Sequence, residues 1–161
     1  MSDTLTPRQT PIAAGEIAPD FTLKNQNRED WNLAEHIRTN DVVLCFYPLD
    51  FTGVCGVENE CLTREMDRWS RTGAVMVGVS CDSFAAHKAW AEQMGFKHTL
   101  LADMHRHVCK AYGLYWPELN VARRGTVVVG KSPDGIGRVK WVQAREPGQA
   151  MNFDEVIAAM A

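Results

Sequence analysis

The chain has no apolar run long enough to cross a bilayer, no block of basic residues and no Cys-x-x-Cys pair. Each absence removes a class of protein. A membrane-spanning helix needs about 20 consecutive apolar residues. A formal net charge of -3 offers no electropositive surface for nucleic acid or an anionic membrane, so neither is an expected partner. The missing Cys-x-x-Cys argues against disulfide exchange by a closely spaced dithiol: Cys55-Gly56-Val57-Glu58 lacks the second thiol. Residues 1–11 are polar, contain Pro7 and Pro11, and lack the apolar core of a secretory signal. The expected location is the cytoplasm, with this stretch a flexible extension.

At 161 residues and 45% hydrophobic content, the chain suits one domain with a sizeable core. Its five cysteines, an odd number without dense spacing, fit a reducing compartment where thiols serve catalysis or packing. Weak alternation over residues 20–33, centred on Asn25-Gln26-Asn27, predicts an N-terminal β-hairpin. Strand and helix patterns then take turns: strand 42–47, helix 57–71, strand 74–80 and helix 83–94, with Asp82 or Ser83 as cap and Gly95 as stop. A short helix over 107–112, strands 126–130 and 137–143 around the turn 132–135, and a final helix 153–160 complete the pattern. This order is that of an α/β fold.

The segment 48–55, Pro-Leu-Asp-Phe-Thr-Gly-Val-Cys, carries most of the functional information. Pro48 ends a buried strand by fixing φ and removing a backbone donor. Cys55 then falls in or just before a first helical turn, where unpaired N–H groups and the helix dipole favour negative charge on sulfur. The hydroxyl of Thr52, three residues back, is placed to donate to that sulfur, to contact a substrate or to cap the helix.

This Pro-x-x-x-Thr-x-x-Cys pattern resembles that of the peroxiredoxins, the cysteine-dependent peroxidases of the AhpC/TSA family and thioredoxin superfamily. Other segments agree in order: Ala18-Pro19-Asp20-Phe21-Thr22-Leu23, Val77-Gly78-Val79-Ser80 before Asp82-Ser83, Ala111-Tyr112-Gly113, and Arg124-Gly125-Thr126. The phrases Leu49-Asp50-Phe51-Thr52-Gly53, His87-Lys88-Ala89-Trp90 and Gly95-Phe96 look closest to the alkyl-hydroperoxide-reductase E type, whose members can work with one cysteine. The resemblance implies a thioredoxin-like fold, with a central mixed β-sheet flanked by helices. It also implies catalysis without metal, haem or flavin.

A thiol of ordinary acidity is mostly protonated at neutral pH, so a peroxide-reducing cysteine needs a cation close by. Arg124 is the first candidate, matching the arginine that family members direct at the catalytic sulfur, and Arg123 is its rival. Glu58, three residues past Cys55, is placed to hold the arginine, as a carboxylate does in relatives, or to complement the helix dipole. The expected reaction reduces hydrogen peroxide or a small organic hydroperoxide and leaves a sulfenic acid at Cys55.

Recycling would use an external thiol, thioredoxin-like or small, or a second cysteine, with Cys61 and Cys81 as candidates. On an intact helix Cys61 lies roughly 10 Å from Cys55 between Cα atoms, beyond disulfide reach. Cys45 alternates into the core, and Cys109 with His105 and His107 has a spacing weakly suggestive of a metal. A homodimer is expected by family analogy, with Trp90, Tyr115 and Trp116 as possible interface aromatics. The rival to an enzyme is a redox sensor or holdase-like binding protein that uses the same cysteine without turnover.

Overall fold

Continuous apolar runs form the middle of the sheet. The computed structural model describes residues 5–160, and the central strand β3 (Val42–Phe46) is buried at every position. Its side chains alternate between faces: Leu44 and Phe46 enter one hydrophobic cluster, Val43 and Cys45 another. Around β3 lie β1 (Thr22–Asn25), β2 (Asp30–Asn32), β4 (Val75–Ser80), β5 (Thr99–Ala102), β8 (Gly125–Val129) and β9 (Val139–Ala144). The seven strands follow the order β2-β1-β5-β4-β3-β8-β9. Strands β3, β4 and β5 are parallel, while β1, β8 and β9 pair antiparallel to their neighbours. The sheet is therefore mixed, with the expected N-terminal hairpin on one edge.

Helices cover both faces. Helix α1 (Leu33–Ile37) and α5 (His107–Ala111) add Leu33, Ile37 and Val108 to the cluster that also holds Trp31 and Tyr112. On the opposite face, α2 (Gly53–Arg64), α3 (Met66–Arg71) and α6 (Phe153–Ala159) add Leu62, Trp69 and Val156. Helix α4 (Phe84–Met94) brings Trp90 and Ala91 to a third cluster with Tyr47, Cys55, Phe96 and Leu100. Ser83 caps α4 through Ala86 N–H, and Gly95 ends it with φ 73°.

Several elements differ from the sequence expectation. The helix expected over 57–71 begins at Gly53 and breaks at Glu65, where φ and ψ are -93° and 13°. Beside the break the Trp69 indole N–H donates to the Leu62 carbonyl at 2.8 Å, turning the ring into the core. Strand β5 and helix α1 were not anticipated; four and five residues are too few to establish a period. The loop 115–122 contains a small ribbon, β6 (Tyr115–Trp116) paired with β7 (Val121–Ala122). Trp90, expected as a possible interface aromatic, is 2% exposed and belongs to the core.

Part of the expected flexible extension over 1–11 is also corrected: residues 1–4 lie outside the described residues, but from Arg8 onward the segment is fastened. Arg8 N–H donates to Lys110 O and Ile12 N–H to Tyr112 O, each at 3.0 Å, and Ile12 is buried. Gly113 permits this approach, with φ 69° and an added Cβ falling 1.9 Å from the Thr10 carbonyl oxygen. Gly113→Ala is expected to cost about 2–4 kcal/mol of unfolding free energy in urea titration, with the fastening around Thr10 displaced.

Candidate active site

Cys55 occupies the first turn of α2, which starts one residue after Thr52, and the loop 47–52 reaches it directly from the end of β3. Cys55 is 1% exposed and packs among Tyr47, Trp90, Phe96 and Leu100. The thiol thus sits among apolar side chains, although the turn that leads to it carries Asp50, Thr52 and Gly53. Arg124 supplies the polar side of this pocket. From the residue before β8, its Nη2 donates to Cys55 Sγ at 3.2 Å, while Arg123 lies outside that contact; both arginines line a neighbouring cleft.

Glu58 fixes the arginine. Arg124 Nη1 donates to Glu58 Oε1, and Arg124 Nε donates to Pro147 O at 2.9 Å. The second carboxylate oxygen of Glu58 accepts from Arg145 Nη2 and from Met151 N–H, both at 2.8 Å. Arg145 in turn donates to Thr126 Oγ1 at 3.0 Å. Sequence reasoning missed Arg145; the stretch Arg145-Glu146-Pro147 reads as an ordinary charged strand end. Two guanidinium groups and one carboxylate, all at most 5% exposed, leave one unit of positive charge facing the sulfur. Negative charge developing on the sulfur would meet that charge through the Arg124 contact.

Two further networks, also missed, hold the loop and the helix. Asp50 accepts from Tyr47 OH at 2.6 Å and lies 2.6 Å from His87 Nδ1, while His87 Nε2 reaches Leu101 O at 2.9 Å. Asp50 N–H donates to Asp82 Oδ2 at 3.0 Å, and Phe51 takes φ 64°. Asp50 and His87 both stood in segments already singled out in the sequence, but nothing in their spacing pairs them. Behind Cys55, Asn59 Nδ2 donates to Cys55 O at 2.9 Å, and Asn59 Oδ1 accepts from His98 Nε2 at 2.9 Å. Nε2 therefore carries the hydrogen, and Nδ1 accepts from Thr63 Oγ1 at 2.7 Å.

Thr52 is the N-cap residue of α2, but its side chain makes no capping bond. Its exposed hydroxyl donates to Leu49 O at 2.8 Å. Cys61 is half-buried on the unbroken α2 and lines a cleft of about 320 Å³ with Arg64, Arg68 and residues 150–154. Burial pushes its thiol up, with nearby Arg64 opposing. Cys81 packs on the other face of the sheet, its sulfur 3.8 Å from that of Cys109. Cys109 is thus turned inward, whereas His105 and His107 are exposed, and the spacing-based metal cluster does not assemble. Cys45 is buried as expected.

The residues 14–136 match the AhpC/TSA family. Alkyl hydroperoxide reductase E of Mycobacterium tuberculosis is 34% identical over 154 residues, covering 92% of this chain and 98% of the relative. Peroxiredoxin Bcp of Escherichia coli is 33% identical over 132 residues, covering 82% and 79%. Among solved structures, the reduced 2-Cys peroxiredoxin of Plasmodium vivax superposes with a TM-score of 0.80 at 29% identity, covering 91% of this chain and 79% of that one. A mixed sheet sandwiched by helices, with a cysteine under an arginine at a helix start, defines a peroxiredoxin: a thiol-dependent peroxidase on a thioredoxin-like fold. The chain belongs to the AhpC/TSA family.

His98 gives the site a pH signature. Burial lowers its pKa from 6.5 to about 3, so folded His98 stays neutral while unfolded His98 takes up a proton below about pH 6.5. Its contribution is complete above that pH and declines as pH falls toward 3, a loss of about 2 kcal/mol by pH 5. Urea denaturation is expected to show this slope, and His98→Asn to flatten it between pH 6.5 and 5.

Proposed function

We propose that Cys55 is the peroxidatic residue, reducing hydrogen peroxide and small organic hydroperoxides. The sulfur attacks the terminal peroxide oxygen, an S–O bond forms, the O–O bond breaks, and the departing oxygen leaves as water or an alcohol. Cys55 is left as a sulfenic acid. The observation that carries this reading is the contact of Arg124 Nη2 with Cys55 Sγ at 3.2 Å inside a buried charge cluster. The guanidinium stabilises charge on the sulfur and, as the peroxide bond lengthens, charge on the departing oxygen.

Glu58 and Arg145 keep that guanidinium aimed. Pro48 ends β3 so that the loop delivers Cys55, and the exposed Thr52 hydroxyl exchanges its bond to Leu49 O for one to the peroxide. A cleft of about 200 Å³ lined by Tyr115, Trp116, Arg123, Arg124 and Pro147 receives the organic part of the substrate.

An external thiol, either a thioredoxin-like protein or a small thiol, reduces the sulfenic acid. Supporting this are the unbroken α2, which separates Cys61 from Cys55, and the contact of Cys81 with Cys109. The reading is completed by a cytoplasmic homodimer. Supporting the dimer are Leu49, Phe51 and Val57, apolar residues exposed by 37%, 53% and 58% around the catalytic loop. Supporting the reducing compartment is the odd count of five cysteines.

Cys55→Ser is expected to abolish steady hydroperoxide consumption with a thiol reductant while the circular dichroism spectrum is retained. Persistent turnover would refute the assignment, and a wild-type protein that reacts once without turnover would point to a sensor. Arg124→Ala is expected to lower the second-order rate constant for peroxide about 100- to 1,000-fold in stopped-flow measurements. Arg124→Lys would recover little of it, and an unchanged rate in Arg124→Ala would transfer the role to Arg123. After one equivalent of hydrogen peroxide, a sulfenic-acid trap is expected to label Cys55 in mass spectra; a Cys55–Cys61 link would instead require α2 to unwind.

A further inference from the structure

Three segments meet on the face of the sheet opposite Cys55. Cys81 follows β4, Asp103 follows β5, and Cys109 lies in α5. Asp103 N–H donates to Ser80 O at 2.8 Å, and the Asp103 carboxylate accepts from Val108 N–H at 3.2 Å and Cys109 N–H at 2.8 Å. This stitching brings the sulfurs of Cys81 and Cys109 to 3.8 Å. Both thiols belong to the cluster around Val79, Val108 and Tyr112, whereas Cys55 belongs to the one around Tyr47 and Trp90. The peroxidase chemistry of Cys55 leaves the pair unused.

We propose that Cys81 and Cys109 form a second redox site, a dithiol that hydroperoxide closes to a disulfide without the participation of Cys55. A disulfide needs an S–S distance near 2.05 Å, so the sulfurs must approach by about 1.8 Å, within reach of side-chain rotation. Cys81, 8% exposed, is oxidised first; Cys109, fully buried, is the resolving sulfur. The Cys81 sulfur attacks the hydroperoxide, forming an S–O bond and breaking the O–O bond, and water or an alcohol leaves. Cys109 then attacks Cys81, the S–S bond forms, the S–O bond breaks, and water leaves. Two thiols lose two hydrogens and two electrons, and the hydroperoxide is reduced.

The pair is slow by construction. The S–H···S contact with Cys81, burial and the Asp103 carboxylate all push the Cys109 thiol up. Cys55 has the Arg124 guanidinium against its sulfur, whereas the Cys81 sulfur faces another thiol, so at low oxidant Cys55 consumes the peroxide and the second site closes only under excess. A closed metal centre fits less well. The ligand atoms of Cys81, Asp103 and Cys109 lie within 4.8 Å of one another, but a structural zinc site takes four ligands and no fourth joins them among the described residues.

The test uses Cys55→Ser, so its outcome is independent of the peroxidatic role of Cys55. The reduced variant is exposed to excess hydrogen peroxide, unfolded, alkylated and mapped without reduction. The expected result is loss of two hydrogens and a single linked peptide pair joining Cys81 to Cys109. The further variant Cys55→Ser/Cys109→Ala is expected to lose that link and to trap a sulfenic acid on Cys81. Four alkylated thiols in Cys55→Ser after excess oxidant would overturn the proposal, as would a link from either sulfur to Cys45 or Cys61, or Cys81 over-oxidised without a link.

Discussion

The buried carboxylate of Glu58 is the constraint on which the site depends. It binds Arg124 with one oxygen and Arg145 with the other, and its second oxygen also takes the N–H of Met151. Neither guanidinium would be placed in a core without it, since an unpaired buried charge costs several kcal/mol. The pairing leaves one positive charge uncompensated in a water-poor pocket, and the sulfur of Cys55 is the atom in contact with it. Removing one partner of such a buried pair typically costs about 3–5 kcal/mol, so the cluster binds α2, β8 and the chain after β9 to one another as firmly as it shapes the chemistry.

Around that cluster, two histidine networks fix Cys55 in different ways. His87 and Tyr47 converge on Asp50 and hold the loop that carries Pro48 and Thr52. His98 acts through Asn59 on the Cys55 carbonyl and so on the first turns of α2. Gly78 makes room for the second: a Cβ there would fall 2.7 Å from Asn59 Oδ1 and 2.9 Å from a Leu100 methyl group. The helix that presents Cys55 is therefore locked at its back by the sheet and at its side by charge. Opening it to bring Cys61 nearer would break both sets of bonds, which is the physical support for an external reductant.

Much of the fold was legible because its signals are local. The fully apolar run of β3, the Ser83 and Gly95 boundaries of α4 and the Asp134-Gly135 turn before β9 each follow from a few neighbouring residues. The failures came where the signal is short or distant. Strand β5 has four residues and pairs with β4 and β1, one parallel and one antiparallel. The break at Glu65 is tied to where Trp69 finds both an apolar pocket and the Leu62 carbonyl. The fastening of residues 8–12 depends on Lys110 and Tyr112, about a hundred positions away.

The sequence by itself determined the setting of Cys55: a proline that ends a strand, a threonine, and a cysteine at a helix start fall close together in the chain, and backbone geometry leaves them little choice. It also nominated Arg124 and Glu58 through resemblance. Only the tertiary structure put Arg124 rather than Arg123 against Cys55, added Arg145, paired Asp50 with His87 and set Cys81 against Cys109. Both arginines lie in the two-residue link between β7 and β8, so the choice between them rests on how that link is laid over Cys55. The remaining partners are separated by 28 to 87 positions, and no local pattern records a contact that exists only once the sheet has assembled.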